Sequence, residues 1–296
     1  MEEKRLTVET SSISFFVSFI AGQLVSLIGL VGLSFILKIC NLSQTDISDQ
    51  LKGFAGIFVC ALLMNLVFCL IFIYFKKKTN ETFFKKCSLK KVLLYISIAI
   101  VILFILYPFI ACIDSVLIKL NWAKNASNPT MDLGNFFLSI IFRVLLPAIC
   151  EEMIFRGIIF KGLKNKGKAF SIILTSFMFA IFHMSISQFV YQFLVALVLC
   201  VVMYYEDNLL YPIIIHFVNN LTTLILAYFN VNLIFNHWTY ILLAIVLLII
   251  FLSIILYLII KGNKQSKYET ITKTNVIYLL TVNSIMIVFW IIVAIS

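Results

Sequence analysis

An all-α, polytopic membrane protein of eight or nine spanning helices is what this 296-residue sequence predicts. Three observations carry the prediction. Hydrophobic residues make up 62% of the chain and charged residues only 12%, where a soluble domain averages about 45–50% and about 25%. The apolar residues come in runs near the roughly 20-residue length that a helix needs to cross a bilayer. The lysines are confined to a few short connections between those runs.

Nine runs qualify, in order 14–37, 54–75, 92–113, 136–160, 169–187, 189–205, 209–229, 238–260 and 276–295. Several are short or joined by few residues, which leaves eight as the alternative count. The first follows "MEEKR", is far longer than the apolar part of a signal peptide and has no small-residue cleavage site after it, so it is expected to be a retained span. After the third comes a connection, 114–135, with Trp122 and Pro129; its stretch "SVLIKLNW" is expected at the membrane interface. The fourth to seventh runs hold nearly every polar residue that interrupts an apolar span. The expected organisation is 1–135, three N-terminal spans and a loop; 136–230, a core carrying the chemistry; and 231–296, two plain C-terminal spans.

The net charge of +10 resides in three loops: lysines 76–78, 85, 86, 90 and 91; 161, 164, 166 and 168; and 261, 264, 267 and 273. Such loops are cytoplasmic under the positive-inside rule, and nine alternating spans place all three on one side with the N-terminus. These lysines set topology and meet anionic lipid, so the partner they imply is the bilayer and not nucleic acid. The seven cysteines are scattered without CxxC spacing, which excludes a disulfide scaffold. Twenty lysines against three arginines suggest an AT-rich bacterial genome, and two of those arginines, Arg143 and Arg156, lie in the fourth run. A retained arginine there hints at planar, multi-donor hydrogen bonding.

Ionisable groups inside a span cost at least ~2.5–3.5 kcal/mol and usually face a cavity or one another. In "CEEMIFRG", 150–157, Glu152 and Arg156 stand at i and i+4 with the acid first, the favourable order for an ion pair. Glu151 points about 100° away and is left over, a carboxylate suited to general acid–base work. "FMFAIFHMS", 177–185, places His183 deep in the fifth run with Phe179 one turn before it. "YPIIIHFVNN", 211–220, places His216 and Asn220 one turn apart. Each histidine alone reads as a packed residue or a bond between helices; two of only three histidines near an unpaired glutamate read as a site. The third, His237, beside Trp238, reads as interfacial. Glu151, His183 and His216 are a set that could hold a catalytic zinc. Alternatively, Glu151 and His183 activate water directly while His216 and Asn220 donate to a developing oxyanion. Both routes lead to hydrolysis of a carbonyl, most simply a peptide bond. HExxH and a Gly-x-Ser nucleophile elbow are absent, and the five aspartates lie in loops or at span ends.

"EEMIFRGIIFKGL" at 151–163 resembles the EExxxR signature of the CPBP family, the CAAX proteases and bacteriocin-processing enzymes also called Abi. "FAIFH" at 179–183 is similar to its FxxxH motif and "HFVNN" at 216–220 to its HxxxN motif. The resemblance covers roughly 136–230. It implies an intramembrane endopeptidase related to type II CAAX prenyl endopeptidases, in which Glu151 and His183 activate water, His216 and Asn220 stabilise the oxyanion, and Glu152 and Arg156 support them. The family is commonly labelled a metalloprotease family. Its bacterial relatives are linked to bacteriocin self-immunity and peptide processing, which implies a membrane-associated peptide or protein as substrate and the bacterial cell membrane as location. The leading expectation is a membrane endopeptidase with a water-filled cavity open toward the cytoplasm. A non-catalytic immunity or partner-binding protein is the second reading. A proton-coupled transporter is the third, disfavoured because no inverted repeat is visible.

Overall fold

The computed structural model describes residues 5–120, 131–231, 238–261 and 269–295. Trp122, Pro129 and His237, read above as interfacial or loop residues, lie outside the described residues. Within them the chain is helical, with no strand. The elements are α1 (Val8–Ile39), α2 (Gln44–Lys52), α3 (Phe54–Lys76), α4 (Leu89–Lys119), α5 (Leu133–Lys166), α6 (Lys168–Phe182), α7 (Ile186–Glu206), α8 (Leu210–Tyr228), α9 (Trp238–Ile260) and α10 (Lys273–Ile295). Six of these, α1, α3, α4, α5, α7 and α8, are long and apolar enough to cross a membrane. The protein is an all-α, multi-pass membrane protein.

Three elements depart from expectation. The connection expected at 38–53 contains α2, a polar helix capped by the Ser43 hydroxyl, which accepts from the Asp46 N–H. The expected fifth span is broken: α6 has 15 residues, about 22 Å at ~1.5 Å per residue, against a hydrocarbon core of ~30 Å. It stops at His183, and Met184 takes a left-handed conformation (φ 51°) that turns the chain into α7. His183 therefore sits in a tight turn between two helices and not in mid-span. The helix α4 also runs on to Lys119, past the expected end at 113.

The central α5 is interrupted by two wide π-helical turns, Ile140–Leu145 and Met153–Ile159. The first has a local cause. Pro147 carries no N–H and its ring displaces the carbonyl four residues back, so the ladder slips and Leu146 bonds to the carbonyl of Ile141, five residues away. In the second, Phe160 bonds to Phe155 in the same manner. Wide turns of this kind recur at functional sites in helices, and these two bracket Glu151 and Glu152.

The lysine-rich connections converge on one end of the bundle. Lys85 and Lys164 pair with Asp207, Lys91 with Glu206, Lys161 with Glu81, and Lys166 with Glu269. Lys168 reaches the carbonyls of Leu258 and Lys261. The α1 N-terminus is pinned beside them, where the Ser11 hydroxyl donates to the Ile159 carbonyl at 2.9 Å. Gly162 makes this approach possible: a Cβ there would collide with the Ser11 hydroxyl and lie 2.5 Å from the Thr7 carbonyl oxygen.

Candidate active site

Three helices build the site. On α5, Glu151 and Glu152 diverge as helical geometry requires: Glu151 faces a cavity, and Glu152 turns into the bundle, where its side chain is wholly buried. One turn on, Arg156 is equally buried and its Nη1 donates to Glu152 Oε1 at 2.8 Å. The expected ion pair is present, but it has a third member. His216, from α8, places Nδ1 2.8 Å from the same Glu152 oxygen. A carboxylate ion-paired to arginine accepts, so Nδ1 is the protonated nitrogen. The opposite nitrogen, Nε2, then faces Glu151, 4.0 Å from its Oε2. Glu152 thus orients His216 by the carboxylate–imidazole arrangement that fixes a histidine's tautomer.

His183 is fixed in the same manner. Its Nδ1 lies 2.9 Å from the Phe179 carbonyl, which can only accept, so Nε2 is again the nitrogen left for chemistry. Phe179 does more than precede the histidine. Its ring stands under the Arg156 guanidinium, 4.5 Å from its centre, and lies edge-on to both imidazoles, 4.8 Å from His183 and 5.9 Å from His216. One aromatic side chain therefore supplies a cation–π contact to a buried charge and a wall to both histidines.

Glu151, His183, His216 and Asn220 line a single cavity of about 590 Å³. The structure also brings in residues that sequence reading missed. Tyr191, Gln188 and Gln192 on α7 line the cavity, and the Tyr191 hydroxyl donates to Asn219 Oδ1 at 2.6 Å. Of the two adjacent asparagines, Asn219 is buried and bonded to Tyr191, while Asn220 is half-buried on the cavity wall. Arg143, two turns before Glu151 on α5, exposes its guanidinium along the same wall. Glu151 Oε2 and Glu152 Oε2 are buried without a hydrogen-bond partner among the described residues. Among the described residues, no three His, Cys, Asp or Glu side chains gather closely enough to ligate one ion. Glu151, His183 and His216 share a wall without forming a coordination sphere.

The cavity extends away from the lysine-rich loops. Its lining runs from Glu151 and His183 to Phe54, Met131, Tyr228 and Asn230, which belong to the helix ends remote from the lysine-rich loops. On the lysine side it is closed by the packed side chains of Ile154, Phe155, Ile158, Ile159 and Phe160, all fully buried.

Fold and site together define a multi-pass membrane protein with a carboxylate–histidine cavity in its helical core. Residues 133–222, the segment that supplies that core, match the family model described as type II CAAX prenyl endopeptidase Rce1-like. The match covers under a third of the chain and supports, at family level, a core similar to that of the CAAX-type (CPBP) intramembrane endopeptidases. No curated protein and no solved structure matched the chain.

Proposed function

We propose that the protein hydrolyses a peptide bond in a membrane-associated peptide or protein, with Glu151, His183, His216 and Asn220 as the groups that meet the substrate. What carries the reading is that the four, drawn from α5, α8 and the turn between α6 and α7, face one cavity. Glu151 takes a proton from a water held between it and His183 Nε2, and the hydroxide adds to the scissile carbonyl. The resulting oxyanion accepts from the Asn220 amide and is faced by His216, which Glu152 orients. Collapse returns the proton from Glu151 to the departing amine. Arg156 acts through Glu152 as a positioning residue, as the buried 2.8 Å contact supports. A zinc on Glu151, His183 and His216 would instead supply a polarised water, but it would require those three side chains to close on one ion.

The bacterial cell membrane, with N-terminus and lysine-rich loops in the cytoplasm, is the location we propose, supported by the gathering of those loops at one end. Bacteriocin self-immunity or peptide processing is the physiological setting that fits a small peptide substrate. The test is Glu151→Gln, which keeps size and loses the base. Fragments released from membrane peptides should fall by about 10²–10⁴-fold, as for loss of a general base, with protein level unchanged. Cleavage or immunity at wild-type level in that variant would overturn the protease reading in favour of a partner-binding role. Loss of wild-type cleavage on chelation, restored by added zinc, would overturn the metal-free steps.

A further inference from the structure

Resting on that reading, we infer that the site takes its substrate from the extracytoplasmic side of the membrane: an exported polypeptide, or the outer end of a membrane-spanning segment. Three observations combine. The lysine-bearing connections of α3–α4, α5–α6 and α9–α10 are tied to one end of the bundle by the pairs Lys85–Asp207, Lys161–Glu81 and Lys166–Glu269, and positive loops mark the cytoplasmic face. The cavity reaches the opposite end. Phe54 starts α3, whose far end is Lys76; Met131 precedes α5, whose far end is Lys166; Asn230 follows α8, whose first turn is held at the lysine end by the Leu209 N–H to Phe83 carbonyl bond. Among the described residues, none of the lysine-rich connections lines the cavity. The path from the lysine end to Glu151 is filled by buried Ile154, Phe155, Ile158 and Ile159, so water and substrate do not reach it from there.

The lining fits a polypeptide. Gln188, Gln192, Asn220, Thr223 and Asn230 offer uncharged amides and a hydroxyl, suited to the donors and acceptors of an extended backbone.

Thiol labelling in spheroplasts of a bacterial expression host tests this without relying on activity. Cys87 is exposed in the α3–α4 connection and serves as the reporter of the lysine end. In a background otherwise free of cysteine, Cys87 is retained alone, or replaced by Asn230→Cys at the mouth or Gln188→Cys on the wall. A membrane-impermeant sulfonated maleimide should label the latter two in intact spheroplasts, and Cys87 only once the membrane is opened. Asn220→Cys checks the inner wall with a smaller sulfonated methanethiosulfonate. Labelling of Cys87 in intact spheroplasts, or of the wall positions only after opening, would overturn the inference. So would silence at both wall positions under both conditions, since the cavity would then not be open to water. Loss of the protease reading through Glu151→Gln leaves this labelling pattern untouched, so the two fail separately.

Discussion

Two clusters of opposite charge hold this protein, in contrasting surroundings. Glu152, Arg156 and His216 meet in the middle of the bundle, where both members of the ion pair are fully buried. Asp207 meets Lys85, Lys161 and Lys164 at the lysine end, with 31% of its side chain exposed. The distances are comparable, 2.8 Å for the buried pair and 2.6–3.3 Å for the exposed ones. The environments decide what each is worth. A buried pair is costly to assemble and costlier to break, because the remaining partner is left charged without solvent. An exposed pair is screened by water and salt. The first cluster sets the geometry of a site; the second ties connections together.

Removing one buried partner should therefore give the largest effect. Arg156→Ala strands Glu152 and should cost about 3–5 kcal/mol, read as a large drop in melting temperature in detergent. The double variant Glu152→Gln/Arg156→Met removes both charges and should regain most of that stability. It should still lack cleavage activity, because His216 loses the carboxylate that orients it. A double variant as unstable as the single one would show that the cluster serves packing and not charge compensation.

The same contrast explains what could be read from the sequence. A charge inside an apolar run is conspicuous, so Glu151, Glu152, Arg156, His183 and His216 could be picked out from composition alone, and helical spacing paired Glu152 with Arg156. That Glu152 also holds His216 could not be read, since 64 residues separate them and only the packing of α8 on α5 joins them. Tyr191, Gln188 and Gln192 look like ordinary residues of an apolar helix until α7 turns them toward the cavity. Long apolar runs fixed most helix positions to within a few residues. The break after α6 was invisible because the run 169–187 continues through His183 and Met184 without glycine or proline. The turn is made by a left-handed methionine, and sterics disfavour that for a residue with a side chain. The opening of the cavity depends on which helix ends line it, which periodicity does not encode.

An intermediate effect is expected where α1 docks against α5 beside the lysine end. Gly162→Ala sets a methyl against the Ser11 hydroxyl and the Thr7 carbonyl oxygen, the first bonded to the Ile159 carbonyl and the second to Ser11. Overpacking of this kind costs typically ~1–3 kcal/mol. Melting in detergent should fall by less than for Arg156→Ala. Ser11→Gly in the same chain should recover part of the loss by making room. No recovery would place the strain at the Thr7 backbone instead.

The smallest change should come from the exposed cluster, and it should depend on pH. Burial raises the Asp207 carboxyl, but the hydrogen bond from Lys85 and the charges of Lys164 and Lys161 outweigh it and hold its pKa below the ordinary 3.8. A carboxylate depressed in the folded state stabilises fully above its unfolded value, and that contribution disappears as pH falls through the lower folded value. Asp207→Asn should thus cost up to ~1 kcal/mol near neutral pH, and the gap to wild type should close as pH drops below the unfolded value. Raising the salt concentration at neutral pH should narrow the same gap, because Lys85 and Lys164 are partly exposed. Paired melting curves across pH and salt read both trends. A gap that persists in acid and in high salt would mean that Asp207 contributes through the packing of the α7–α8 turn, and the contrast between the two clusters would then rest on the buried one alone.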